Sequence, residues 1–194
     1  MITTTLNRIR EHSLSPYDWT KLLNGLGKTK ADDEPLPFSK ILEINGLGDA
    51  IWCFRAEPQY AREHRLFAVA CARRVEHLNP DPRVKNATDV AERYANGQAT
   101  DEELRTAWFA AWAAWAAGDA RDAAPTARNA AQAAWSATRD ATWASGDAAL
   151  AAAWASGDAA GEAAWAAAWD AEREWQKQEF LRVVTETEAR EDGE

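Results

Sequence analysis

The feature that most constrains the fold is a 75-residue stretch, Asp101 to Trp175, which contains 32 alanines and nine of the eleven tryptophans. Alanine is the best helix former, and tryptophan carries the largest apolar side chain. Within this stretch the chain repeats W-A-[AS]-G-D-A three times, beginning at Trp115, Trp143 and Trp154. Such a segment predicts long helices that carry large apolar side chains at regular intervals. These helices are suited to packing or to binding rather than to catalysis.

The first tryptophans of this stretch share one helical face. Trp108, Trp112 and Trp115 are spaced i, i+4 and i+7, which predicts a single helix with an aromatic face. A Gly-Asp pair and a proline fall within residues 118–125. Because both interrupt helices, we expect the chain to reverse direction there.

The later tryptophans recur at a longer period. Trp143, Trp154 and Trp165 are 11 residues apart, and 11 residues return to nearly the same face of an α-helix. We therefore expect a continuous or nearly continuous helix over residues 135–175, in which glycine and alanine leave hollows for tryptophans of a neighbouring helix. The alternative is two or three shorter helices, because Gly-Asp also resembles a helix end followed by a new N-cap.

The first hundred residues predict several shorter helices. Thr5 and Ser15 are N-cap residue types, and Ser15 is followed by a proline and an early acid. Apolar spacing predicts helices over residues 60–78 and 86–94, and Thr100 begins T-D-E-E, which is a further helix start. No alternating strand pattern is present in the sequence, so the predicted fold class is all-α.

Composition divides the chain into three predicted parts. Residues 1–100 are expected to form a compact multi-helix domain. Residues 101–184 are expected to form long Ala/Trp-rich helices packed as a hairpin or a bundle. Residues 185–194 are predicted to be an acidic, disordered tail.

Charge follows the same division and limits the class of partner. Residues 1–100 have a net charge of +1 and residues 101–194 a net charge of −10. The acidic half disfavours direct binding to nucleic acid and favours a partner with a basic surface. An equally good explanation of the negative charge is that it keeps a tryptophan-rich protein soluble.

The sequence also predicts a cytoplasmic protein. No apolar run is long enough to span a membrane, and the first residues, MITTTLNRIR, lack the apolar segment of a signal peptide. Cys53 and Cys71 lie in apolar helical surroundings, which indicates buried thiols in a reducing compartment rather than a disulfide.

Signals for catalysis are poor. His12, His64 and His77 have no metal-ligand spacing with one another or with a cysteine. No order of residues suggests a Ser/His/Asp or Cys/His group. We therefore predict no catalytic residues, no metal and no cofactor, and do not expect an enzyme.

The tryptophans are the better candidates for function. Most are expected to pack in the core, but nine exceed what one pair of helices needs, and aromatic anchors dominate binding hot spots. Acidic residues flank them and would complement a basic partner. The predicted partner-binding residues are Trp108, Trp112, Trp115, Asp119, Asp140, Trp143, Asp147, Trp154, Asp158 and Glu162.

Three segments carry a resemblance to a known group of proteins: LGKTKADDEPLPFSKILEINGLGDAIWCFRA, RLFAVACARRVEHL and ATDVAERYANGQATDEEL. Over residues 19–175 the chain resembles phage- and prophage-encoded proteins related to immunity proteins of bacterial polymorphic toxin systems. That group combines a compact helical region with Ala/Trp repeats of variable length. This chain has glycine before aspartate in its repeats, where the group tends to have arginine, so its repeat is less basic.

Together these features predict a non-enzymatic cytoplasmic inhibitor that binds and sterically blocks another protein. The resemblance implies a toxin as the partner, and a bacterial defence effector, such as a CRISPR effector, fits the same features. The alternative is a structural or self-assembling helical protein whose tryptophans are buried in a bundle or a homodimer.

Overall fold

Helices dominate the structure, a computed structural model that describes residues 1–12, 14–120, 125–139 and 141–187. For residues 118–120 and 141–145 it describes the backbone alone. The all-α prediction is confirmed. The one exception among the described residues is a pair of two-residue strands, β1 (Thr3–Thr4) and β2 (Leu36–Pro37), which are antiparallel. Strands this short give no alternating pattern for sequence analysis to detect.

The chain forms two compact units. The first contains Met1–Tyr60 together with Lys177–Glu194, and the second contains Ala61–Gln176. This division differs from the boundary at residue 100 that composition predicts. The reason is that packing joins two helices of the charge-neutral half to the alanine-rich helices, as described below.

The first unit contains four short helices and the end of a long one. They are α1 (Leu6–Glu11), α2 (Pro16–Gly25), α3 (Phe38–Asn45), α4 (Leu47–Phe54) and the part of the helix Trp165–Glu186 that begins at Lys177. The predicted N-caps are confirmed, because the hydroxyl oxygens of Thr5 and Ser15 accept hydrogen bonds from the backbone N–H groups of Arg8 and Asp18, both at 3.2 Å.

Three buried phenylalanines form the centre of this unit. The rings of Phe38 and Phe54 lie 4.9 Å apart, and the ring of Phe180 contacts both, at 6.4 and 5.7 Å, in edge-to-face geometry. The backbone N–H of Ile2 also donates to the carbonyl of Val184 at 2.7 Å. Both ends of the described chain therefore contribute to one core.

The described part of the second unit contains six α-helical segments. In chain order they are α5 (Ala61–Val75), α6 (Pro82–Ala95), α7 (Asp101–Ala120), α8 (Pro125–Ala137), α9 (Ala141–Ala160) and the first part of α10 (Trp165–Glu186), up to Gln176. Helix α5 packs against α6, α8 and α9, and α8 packs against α6, α7 and α9. The predicted helix over 86–94 begins earlier, at Pro82, because Asp81 caps it and proline suits the first helical position.

Alanines, and not tryptophans, supply most of the buried side chains of α8 and α9. Five alanines of α8 are fully buried, and so are Ala148, Ala149, Ala152, Ala153 and Ala155 of α9, a helix that packs against both α8 and α5. Interfaces made of alanine bring helix axes close together and leave no room for an indole. None of the ten tryptophans whose side chains are described is fully buried. The expectation that tryptophans of the Ala/Trp-rich stretch pack between its helices is met by partial burial, as for Trp115 of α7 against Trp135 of α8.

The Gly-Asp pairs lie inside helices. Helix α9 runs without a break through Gly146 and Gly157, and α7 runs through Gly118. A single helix over residues 135–175 is nevertheless the wrong prediction, because the chain forms three helices there. The α9–α10 break falls at Gly161, whose φ of +74° is a left-handed conformation that favours glycine.

A buried arginine stabilises the end of α8. Arg65 of α5 is only 6% exposed, and its Nη1 donates to the carbonyls of Ala137 and Arg139 at 2.8 and 2.7 Å. These carbonyls belong to a helix C-terminus, where partners are lacking within the helix. Cys53 and Cys71 are both buried and form no disulfide, as predicted.

Candidate protein-binding surface

The predicted aromatic face of α7 is only partly available to a partner. Trp115 stacks on Trp135 of α8, with ring centres 5.7 Å apart and planes 23° apart, and Trp108 contacts the same ring at 6.1 Å. Both α7 side chains are half-buried in this way. Trp112 differs because 45% of it is exposed.

Phe109 joins Trp112 on the exposed side of α7. It follows the i, i+3 spacing with Trp112, is 56% exposed, and contacts the Trp108 ring edge to face at 4.7 Å. Phe109 is not among the predicted residues, because tryptophan spacing alone does not identify it. Charges near this pair are mixed, since Glu102 and Arg105 are both exposed on the preceding turns of α7.

A second aromatic cluster lies where α9 meets α10. Trp154 of α9 contacts Trp165 and Trp169 of α10 with ring centres 5.3 and 5.2 Å apart, and the two α10 rings stack on each other at 5.2 Å. The 11-residue period therefore places Trp154 and Trp165 in contact across two helices, with their ring planes tilted by 56°, and not on one face of a single helix. Rings this close leave no space between them for a ligand, so only the outer surface of the cluster can bind.

Gly157 makes this crossing possible. A Cβ atom built on Gly157 would lie 2.6 Å from Cε2 and Nε1 of Trp165, which is closer than carbon atoms approach one another. The prediction that glycine leaves a hollow for a neighbouring tryptophan is confirmed at this position.

The outer surface of the α9–α10 cluster is apolar and exposed. Trp154 is 44% exposed, and Leu150, one helical turn earlier, is 49% exposed. Trp165 and Trp169 are half-buried and extend the surface onto α10. Soluble monomers rarely expose large apolar side chains side by side unless they bind something. Leu150 was not predicted, although its i, i+4 spacing with Trp154 was a signal for it.

Acidic side chains surround this cluster. Glu162 in the α9–α10 turn and Asp170 on α10 are exposed. Asp158 has a structural role as well, because its carboxylate accepts from Asn129 Nδ2 at 2.9 Å and from Trp165 Nε1 at 3.3 Å. The sequence contains no lysine or arginine from residue 140 to residue 172. We call Leu150, Trp154, Trp165 and Trp169, with these acids, the α9–α10 surface.

The remaining predicted residues contribute less to this surface. Asp147 forms an ion pair with Arg139, with 2.6 Å between Oδ2 and Nη1. Asp140 and the side chains of Asp119 and Trp143 lie outside the described residues. The structure therefore divides the predicted set between the α7–α8 and α9–α10 helix pairs.

The described residues show no arrangement for metal chemistry. No group of three or more His, Cys, Asp and Glu side chains among them is placed to hold a metal ion. Burial raises the pKa of the Cys53 thiol, so this cysteine carries no reactive thiolate at neutral pH. Within the same part of the chain, no helix is long and apolar enough to cross a membrane.

Comparisons with known proteins give no further guide to function. The chain matches no family model, no curated protein and no solved structure.

Proposed function

We propose that the protein is a non-enzymatic inhibitor that binds another protein through the α9–α10 surface and blocks it sterically. The observation that carries the proposal is the exposure of Trp154 and Leu150 beside an acidic turn. Burying such an indole in a partner supplies affinity, since tryptophan is among the residues most enriched at hot spots. The surrounding carboxylates select a basic partner surface and speed its association.

The partner class follows from charge and from the resemblance described above. Toxins that act on nucleic acid and nucleic-acid-guided defence effectors present basic surfaces to the phosphate backbone. An acidic helical surface with aromatic anchors covers such a region without carrying phosphate itself. The proposed partner is therefore a toxin or a bacterial defence effector, with toxin immunity and phage anti-defence as the two biological settings.

Two exposed tryptophans allow a matched test. Trp154 is 44% exposed in the second unit, and Trp52 is 37% exposed in the first unit. The wild type, Trp154→Ala and Trp52→Ala should be compared as baits in bacterial lysate, and any captured protein then purified and titrated by calorimetry. We expect Trp154→Ala to raise the Kd by about 30-fold or more, which is the effect of losing a hot spot of about 2 kcal/mol, while Trp52→Ala binds as the wild type does.

The role of the carboxylates in association, and the inhibition of the partner, are tested by two further measurements. Replacing Glu162 and Asp170 by the matching amides should slow association and weaken its dependence on salt. The purified partner should lose its activity when the wild-type protein is added, and keep it with Trp154→Ala. Equal binding by all variants, or binding without inhibition, would contradict the proposal. Concentration-dependent dimers of the wild type that Trp154→Ala dissociates would instead favour the self-assembly alternative.

A further inference from the structure

A cavity of about 530 Å³ opens on the first unit, far along the sequence from the proposed binding surface. It is lined by the end of α1, the segment before α2, two turns of α2 and the loop that follows α2. Its volume is within the range of about 300–1,000 Å³ that is typical of small-molecule sites. The proposed inhibitor function makes no use of it.

The polar side chains of this cavity are hydrogen-bond donors. Arg10, Lys30, Thr29 and Trp19 line it, and no carboxylate does. Arginine, lysine and the indole N–H can only donate, and the hydroxyl of threonine can do so as well. Within the described residues, none of these four side chains forms a hydrogen bond or an ion pair, so their donors are available to a ligand.

Two of the three acids of the neighbouring loop bind Lys28, and the third, Asp33, is exposed and does not line the cavity. Lys28 Nζ lies 2.6 Å from a carboxylate oxygen of Asp32 and 2.7 Å from one of Glu34. Both carboxylates therefore bind Lys28 and lie beyond ion-pair distance of Lys30, whose charge contributes, after that of Lys28, to lowering the pKa of Asp32. In a chain of net charge −9, a cavity with two cations and no anion in its lining is a local reversal of charge.

The rest of the cavity is apolar. Leu14, Trp19 and Leu23 line it and are all half-buried, and Trp19 and Leu23 are one turn apart on α2. A flat apolar body can pack against an indole and a leucine, whereas an inorganic ion cannot use them. A lining that combines donors with apolar side chains fits a ligand that carries both an acid group and an apolar body.

We propose that this cavity binds an organic anion, with its acid group held by Arg10 and Lys30 and its planar apolar body packed on Trp19 and Leu23. Carboxylates and phosphate monoesters share the required acid chemistry. Charge-assisted hydrogen bonds from arginine to such groups are among the stronger polar contacts in proteins. The site is independent of the α9–α10 surface, so either proposal can fail without the other.

Calorimetric titration of the full chain tests the proposal with four probes: 2-naphthoate, 2-naphthyl phosphate, the neutral 2-naphthamide and inorganic phosphate. We expect at least one naphthyl anion to bind with a Kd below about 1 mM, and the amide and inorganic phosphate to bind at least about tenfold more weakly. The relative affinities of the two naphthyl anions identify the preferred acid group.

Matched variants locate the site. Arg10→Gln and Lys30→Gln should each weaken binding of the better anion about tenfold, because each removes charged donors. Lys40→Gln is the control, since Lys40 lies in the same unit, pairs with Glu43 at 2.9 Å and does not line the cavity. Arg10 and Lys30 are exposed, so their replacement preserves folding. The proposal is overturned if neither anion binds, if the amide binds equally well, or if all three variants bind as the wild type does.

Discussion

Replacing Gly157 by alanine separates the effect of helix propensity from that of tertiary packing. Propensity alone predicts that Gly157→Ala stabilises α9 by about 1 kcal/mol, because glycine is a poor residue for a helix interior. The structure predicts the opposite sign. The new methyl group would lie 2.6 Å from the Trp165 ring, where a normal carbon contact needs about 3.5–4.0 Å.

The indole cannot move away easily. Trp165 stacks on Trp169 with planes 15° apart, contacts Trp154, and donates its Nε1 hydrogen to Asp158. Inserting a methyl group into a packed site costs about 1–3 kcal/mol, and losing the hydrogen bond costs about 1 kcal/mol more. The better helix propensity of alanine returns about 1 kcal/mol, so the free energy of unfolding should fall by about 1–3 kcal/mol in total.

Thermal unfolding followed by far-ultraviolet circular dichroism measures this change without using tryptophan emission. For a chain of this size, about 1 kcal/mol shifts the Tm by about 2–4 °C, so Gly157→Ala should lower it by several degrees. Gly48→Ala is the control, because Gly48 lies in α4 with nothing within 4 Å of its added methyl group, and it should raise the Tm slightly. The double variant Gly157→Ala/Trp165→Leu should lose less stability than the sum of its single changes. A Tm that rises for Gly157→Ala as it does for Gly48→Ala would refute the packing argument.

Three further predictions concern stability. Arg65→Met should lower the free energy of unfolding by about 2–4 kcal/mol in urea titrations, because it leaves two helix carbonyls without their charged donor; a loss below 0.5 kcal/mol would contradict this role. In the same assay, replacing the buried Phe180 by alanine should lower the free energy of unfolding by about 3–5 kcal/mol, and replacing the exposed Phe109 by alanine should lower it by under about 1 kcal/mol. Equal losses in the two variants would refute the assignment of Phe180 to the core. Burial, together with the charge of Asp18, raises the pKa of Asp49 above its ordinary value of 3.8. The folded state therefore holds the Asp49 proton more tightly than the unfolded state does. For this reason the free energy of unfolding rises as the pH falls through the raised pKa. The Tm advantage of Asp49→Asn over the wild type at pH 7 should therefore shrink towards pH 4, and a constant difference would contradict the cause given.

The sequence predicted the local elements well where a single side chain determines them. Thr100 and Glu103 form the reciprocal hydrogen bonds of a capping box, at 3.2 and 2.7 Å, as T-D-E-E indicates. Ser15 also caps its helix, because its hydroxyl oxygen accepts from the backbone N–H of Asp18 at 3.2 Å. Such contacts span three residues, so they need no information from the rest of the chain.

The candidate site was predicted only in part. Trp154 and Trp112 are exposed as a binding role requires, whereas Asp158 and Asp147 are engaged by Asn129 and Arg139. These partners lie on other segments, and nothing in the spacing of the tryptophans and aspartates reveals them. The exposure of Phe109 and Leu150 could not be predicted from the sequence either, because it depends on which side of each helix packs against a neighbouring helix.

By itself the sequence determined that this protein is helical, that its second half is acidic, and that its tryptophans repeat at helical spacing. Each of these follows from residue identity and local periodicity. Only the tertiary structure decided that alanines supply most of the buried side chains of α8 and α9, that the described tryptophans are at most partly buried, and that Trp154 and Trp165 meet across two helices. The physical reason is that the small alanine side chains let α5, α8 and α9 pack closely, which excludes indoles from between them. The break at Gly161 then turns α10 back so that its tryptophans pack on α9.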